Sequence, residues 1–489
     1  MNANTYIKER LKEKNMHVDE LVKKAGTSKS TIYRVLNGVQ QPSVKLRDKM
    51  FQILDLNHEE RRELIYYFSL FDVDQNIIES REAIYHFLFG KEDSHLNKIE
   101  LVYYDDKKYI RTFDDILEDV LEASDKEDFT CHFRLINGIW RDVISPLSNL
   151  VTALMERKSR YRFQHLIRFS TDDYKDNIKT LKHIIPLLSL DNYTLDYHEE
   201  AHVSRQGFFH DMLILDYSYG KGEEVKEVSL FITFLPENLS TCYVVGENRE
   251  NTLDFFERNM ESLERRYLPA LSSRKSLVEY VMTIAELFRS SSSALFRSHI
   301  PLARLPRQVY ESVIKRTPTE EFVKFFCQDK HQDKSIETHI KEMLGQAKLV
   351  EKSTYLNKQL EIYTKEGLAE FASTGLMMDH LEFLPAFNKA EVKMILESVK
   401  SRDRNPEDPF NFVIIKENYT NSNLSFGAVD NRCLLVEKYI DSNTPYGIIK
   451  HGKLSSAFMD FAYHYVPAMM AIPQEEAYAF IDELIEKYC

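Results

Sequence analysis

Between Leu21 and Gly38 the chain carries the pattern that most limits how it can fold: short apolar runs at helical spacing, each closed by a glycine. Val18, Leu21, Val22 and Ala25 recur at three- and four-residue intervals, which puts them on one face of a helix. Gly26 then stops the pattern. A tight turn between two short helices needs a residue at positive φ, and glycine takes that conformation without a clash at Cβ. Ser28 follows, with a hydroxyl suited to accept from a free N–H in the first turn of the next helix. That helix is expected from Lys29 to Asn37, with Gly38 ending it. Its Ile32, Val35 and Leu36 share an inward face, while Lys29, Ser30, Tyr33, Arg34 and Asn37 point elsewhere. Ile7 and Leu11 mark a helix before this pair. Pro42 and Ser43 open one after it, whose Leu46, Met50, Ile53 and Leu54 complete a small core.

Charge separates the same region from the rest. Residues 1–50 hold eight Lys and three Arg against five acidic side chains, a balance of +6, whereas the whole chain carries −13. A basic module on an acidic body attracts a polyanion at one end and repels it elsewhere. The cations and hydroxyls on the outward face of the second helix suit base edges and phosphates.

The run Leu21-Val-Lys-Lys-Ala-Gly-Thr-Ser-Lys-Ser-Thr-Ile-Tyr-Arg-Val-Leu-Asn-Gly, with Pro42-Ser43 after it, resembles the lambda-repressor-like (Cro/CI, or XRE) helix-turn-helix family over about 55 residues. The resemblance implies a module of four or five helices in a bacterial or phage regulator, bound as a homodimer to a two-fold operator in double-stranded DNA. It also implies base-reading positions at Lys29, Ser30, Tyr33 and Arg34 and a phosphate contact at Asn37, with Ser28 at the helix start. Two positions depart from the family pattern. Val18 stands where many members carry a Gln that reaches the backbone, and Thr27 replaces the usual apolar residue after the turn glycine.

At 489 residues the chain exceeds what one core organises. The expected architecture is multidomain: an all-α helix-turn-helix domain (1–70), an α+β lobe (71–270), a helical middle (271–375) and a second α+β lobe (376–489). Strands are expected at Ile99–Tyr104, Thr130–Ile136, Tyr193–His198, Met212–Tyr217, Val228–Phe234 and Thr241–Val245, with a helix through Phe255 and Leu263 that Pro269 ends. A similar order recurs from Lys389. At a constant offset, Thr241, Tyr243 and Phe255 match Thr444, Tyr446 and Phe458, so a duplication and two unrelated lobes both fit. A body of this size suggests a sensor for a small-molecule or peptide effector or a partner protein.

One stretch suggests different chemistry. His198-Glu199-Glu200-Ala201-His202 matches H-E-x-x-H, which on a helix places two imidazoles on one face for zinc with the Glu as general base. A zinc metallopeptidase fused to the helix-turn-helix is thus the alternative. The alternation of Tyr193-Thr-Leu-Asp-Tyr-His reads instead as a strand, where those histidines would lie about 13 Å apart, too far for one ion. A third ligand is not marked, although His210 or Glu257 can be proposed. The run Arg289–Ala294 reads as a helix break, Gly220-Lys-Gly222 as a hairpin turn, and Trp140 as a core residue. Five separated cysteines, Cys131, Cys242, Cys327, Cys433 and Cys489, suit a reducing compartment and form no C-x-x-C pair. No apolar run reaches the length of a membrane span, so a cytoplasmic protein is expected. With the H-E-x-x-H stretch read as a strand, no enzymatic activity, cofactor, metal or catalytic residue is expected.

Overall fold

The computed structural model describes residues 3–90, 98–104, 108–137, 141–171, 174–185, 187, 190, 192–200, 211–234, 239–244, 254, 257, 266–268, 283, 286–288, 290–298, 300–301, 305–317, 357–377, 385–420, 424–438 and 446–489. Five helices open the chain: α1 Ala3–Glu13, α2 Val18–Ala25, α3 Lys29–Leu36, α4 Val44–Ile53 and α5 His58–Ser69. Their apolar faces meet in a separate cluster of Ile7, Leu11, Leu21, Ala25, Ile32, Val35, Leu36, Met50 and Leu64. Asn57 starts α5 with a capping box, its amide oxygen accepting from Glu60 N–H while the Glu60 carboxylate accepts from Asn57 N–H. Helix α6, Gln75–Phe89, then leads into the body.

The body is α/β with two mixed sheets. Its elements run β1 Glu100–Tyr104, β2 Lys108–Thr112, α7 Phe113–Ala123, β3 Thr130–Ile136, α8 Arg141–Glu156, β4 Arg160–Ser170, α9 Tyr174–Ile184 and β5 Tyr193–Glu200. Next come β6 Asp211–Tyr219, β7 Lys226–Phe234, β8 Leu239–Val244, β9 Arg266–Leu268, β10 Ser293–Phe296, α10 Arg307–Arg316, β11 Gln359–Thr364, α11 Lys365–Thr374, α12 Lys389–Asp403 and β12 Phe410–Ile415. The last are β13 Leu424–Val429, β14 Cys433–Lys438, β15 Tyr446–Ile449, α13 Gly452–Asp460, a π-helix Phe461–Met470 and α14 Gln474–Tyr488.

The first sheet has the order β2-β1-β8-β7-β6-β3-β4-β5-β9 and the second β12-β11-β10-β13-β14-β15. Within the first, β3, β4 and β5 are parallel and joined through α8 and α9, while β6, β7 and β8 continue antiparallel. The second sheet repeats that scheme: β10, β11 and β12 are parallel, and β13, β14 and β15 continue antiparallel. One apolar cluster runs from Phe133 and Leu215 of the first sheet through Ile84 of α6, Leu181 of α9 and Phe458 of α13 to Phe296 and Phe426 of the second. The opposite face of the second sheet, with Tyr363, Phe412 and Ile414, is covered by α10, α11, α12 and α14.

The alternating strands of the first lobe appear as expected. The helical middle does not hold throughout: Ser293–Phe296 and Gln359–Thr364 are strands, and they form the parallel centre of the second sheet. Every residue of both strands is buried; β10, Ser-Ala-Leu-Phe, is too short to show a period, while in β11 the alternation Gln359-Leu-Glu-Ile is present although both faces are covered. Gly220 and Gly222, both at positive φ, connect β6 to β7 as the hairpin reading requires. The run after Arg289 passes from helix to β10. Trp140, Phe255, Leu263, Pro269 and Cys327 lie outside the described residues; Cys131, Cys242 and Cys433 are buried thiols and Cys489 is exposed. Among the described residues no helix is long and apolar enough to cross a membrane.

The helical module is seated on the body. Arg81 of α6, its side chain 6% exposed, donates through Nε and Nη2 to both carboxylate oxygens of Asp460 at 2.7 and 3.0 Å, and through Nη1 to Tyr66 OH at 3.1 Å. The Tyr66 ring meets Tyr465 of the π-helix edge-on, with centroids 5.5 Å apart. Arg62 donates to the Ala471 carbonyl, and Lys416 pairs with Glu59.

Candidate nucleic-acid interface

Helix α2 ends where Gly26 enters the left-handed region at φ 64° and donates its N–H to the Val22 carbonyl at 3.1 Å. Lys49 of α4 reaches back to donate to the Ala25 carbonyl at 2.9 Å, satisfying another carbonyl of that helix end. Ser28 then caps α3: its Oγ accepts from Thr31 N–H at 3.1 Å and lies 2.8 Å from Thr31 Oγ1 and 3.1 Å from Ser30 Oγ. The helix runs to Leu36, one residue short of the expected end, with Asn37 as its C-cap and Gly38 at φ 68° beyond.

Ile32, Val35 and Leu36 are fully buried against the other helices. Ser28, Lys29, Ser30, Tyr33, Arg34 and Asn37 are all exposed, so α3 presents one continuous polar surface to solvent. Tyr33 retains 40% of its surface, a large apolar ring left uncovered in a small module. Lys29 Nζ lies 5.7 Å from the centre of that ring and pairs with Asp19 at 2.7 Å. The hydrogen bond that Lys29 donates to Asp19, reinforced by the carboxylate's charge, raises the Lys29 pKa, so the ammonium stays protonated.

Two members of this site carried no signal in the sequence. Asp19 sits on α2 and meets Lys29 only because the turn at Gly26 folds one helix onto the other. Lys49 lies 24 residues from the carbonyl it caps. Val18, where a Gln was the family expectation, is instead partly buried against the module's core.

The zinc alternative meets a different geometry. His198, Glu199 and Glu200 belong to β5, which pairs in parallel with β4, so the motif's first half is extended rather than helical. His202 and His210 lie outside the described residues, as do the chain neighbours of Glu257. Among the described residues no group of three or more His, Cys, Asp or Glu is placed to hold a metal ion.

Residues 7–60 match the helix-turn-helix family model, a span that contains α2, the Gly26 turn, α3 and α4 and ends inside α5. No curated protein matches the chain. The match supports a DNA-binding transcription regulator, and the N-terminal region of this protein is a helix-turn-helix domain of the lambda-repressor-like (Cro/CI, XRE) type.

Proposed function

We propose that the protein is a sequence-specific transcriptional regulator in which α3 enters the major groove and the large body senses a ligand or partner and holds a homodimer together. The observation that carries this reading is the division of α3 into a buried apolar face and an exposed face of Lys29, Ser30, Tyr33 and Arg34, on a module whose first 50 residues carry +6. Ser28 and Asn37 flank that face at its two ends, where backbone phosphates pass a recognition helix. Dimerisation follows from the small footprint of one such helix, because two half-sites one turn apart multiply the sequence read.

The body is read as a duplicated sensor. Support comes from the strand order that the two sheets share over six strands and from Tyr243 on β8 aligning with Tyr446 on β15. Selection of binding sites from random DNA by the full-length protein tests the whole reading. A two-fold site with half-sites about 34 Å apart is expected. Arg34→Ala should lose about 1–3 kcal/mol on that site. Recovery of no common sequence, or unchanged binding by the variant, would remove the assignment.

A further inference from the structure

The face of the first sheet opposite α8 and α9 holds an apolar patch of Ile136, Leu166, Met212 and Ile214 at one end and polar side chains at the other, where the second sheet is apolar. Alternate strand residues share a face, and the register sets His132 of β3 opposite both Arg162 of β4 and Asp216 of β6. Arg134, Gln164 and Ser229 lie on that same side. On the second sheet, the face turned away from its own crossover helices presents Ala294, Phe296, Leu360, Ile362, Phe426 and Ala428, all buried in the main cluster. Two sheets that share their order over six strands thus differ in what one end of this face is made of.

The polar side chains form a closed network. Arg134 Nη1 donates to Asp216 at 2.5 Å, and Ser229 donates to the other carboxylate oxygen. Arg134 Nη2 donates to His132 Nδ1 at 2.7 Å, which leaves His132 Nε2–H to donate to Gln164 Oε1 at 3.0 Å. Burial and the neighbouring Arg134 push the His132 pKa down to about 4, so the ring is neutral. A buried ion pair of this kind gives little stability over apolar packing, so stability alone does not account for it.

A cavity of about 360 Å³ opens over this floor, at the ends of β3, β4 and β6, with Arg160, Arg162 and Ser218 also on its walls. Arg160 and Arg162 alternate on β4, so they point the same way about 6.7 Å apart. Both are exposed and neither forms an ion pair among the described residues. With His132 neutral, the three arginines and Asp216 leave the lining at +2 in a chain whose net charge is −13.

We propose that this cavity binds a small phosphorylated molecule, its phosphate bridged by Arg160 and Arg162. This rests on the reading of the body as a ligand sensor. A phosphate dianion matches the lining charge, two guanidinium forks match its oxygens, and the volume suits a metabolite rather than a macromolecule. Arg134, already committed to Asp216 and His132, fixes the floor instead of contacting the ligand.

Calorimetric titration of the full-length protein with inorganic phosphate, AMP and glycerol phosphate, against uncharged adenosine and glycerol, tests the site. Binding is expected for the phosphate compounds alone. It should weaken at least about tenfold in Arg160→Ala/Arg162→Ala with the thermal midpoint unchanged, and persist in the charge-matched Lys179→Ala/Lys393→Ala. Silence with every phosphate compound up to about 1 mM, or wild-type binding by the double arginine variant, overturns the proposal. Operator affinity measured alongside separates the two claims. Phosphate binding that leaves operator affinity untouched upholds the cavity and overturns the sensing role. Operator affinity that answers to some other effector, while phosphate compounds give no heat, overturns the cavity alone.

Discussion

Lys29 has an acid at hand before any nucleic acid arrives. Its pair with Asp19 is exposed on both sides, and such a pair competes with a phosphate for the same ammonium. Asp19→Asn should therefore tighten binding to non-operator DNA and steepen the dependence of log K on log salt by about one, as one more cation becomes free to displace a counterion. A variant that binds with the wild-type salt slope would show that Lys29 stays clear of the backbone. The outward set on α3 was legible in sequence because helical period alone divides Ile32, Val35 and Leu36 from their neighbours. Asp19 was not legible, since its partner is chosen by the angle between two helices and no spacing rule encodes that angle. Lys49 was hidden for the same reason.

At the scale of elements, the turn at Gly26 decides whether α3 can be presented at all. Its φ of 64° is one that a side chain with Cβ resists, and Gly26→Ala should cost about 1–2 kcal/mol, read as a lower urea midpoint together with weakened DNA binding. The strands of the first sheet make a pH prediction. His165 of β4 is fully buried between Tyr193 OH and the Asn137 carbonyl, and desolvation holds its pKa down to about 4, like that of His132 on β3. Both are neutral in the folded protein while the unfolded chain takes up their protons near pH 6.5, so the stability they protect is whole above pH 6.5 and drains away between there and pH 4. The expected slope is about 1.4 kcal/mol per pH unit for each histidine, measured as urea midpoints across that range. A flat profile from pH 6.5 to 5 would show that neither ring is held neutral. Element type was legible where one face of a strand met water, as in β3 with its alternating burial. It failed at β10, where four residues covered on both faces carry no period, and at β11, where Gln359-Leu-Glu-Ile does alternate but its polar residues are buried and the stretch is too short to stand out from the helical sequence around it.

For the molecule as a whole, the seat of the helix-turn-helix domain matters most. Arg81 bridges Tyr66 and Asp460, and Tyr465 packs both on the module's cluster and on the main core. Arg81→Ala strands Asp460 beside a buried tyrosine, and should cost about 3 kcal/mol, with faster proteolysis between the module and the body. Wild-type proteolysis would show that the ion pair does not hold the seat. The contacts that make this seat join residues 379 and 409 positions apart, Arg81 with Asp460 and Arg62 with Ala471. On a ribosome adding about 5–20 residues per second, the reading helix emerges roughly 20–80 s before its support exists. The module is therefore left to hold its shape alone during that interval, with Tyr66 uncovered, and the surface of α3 is exposed to DNA before the body that seats it has been made.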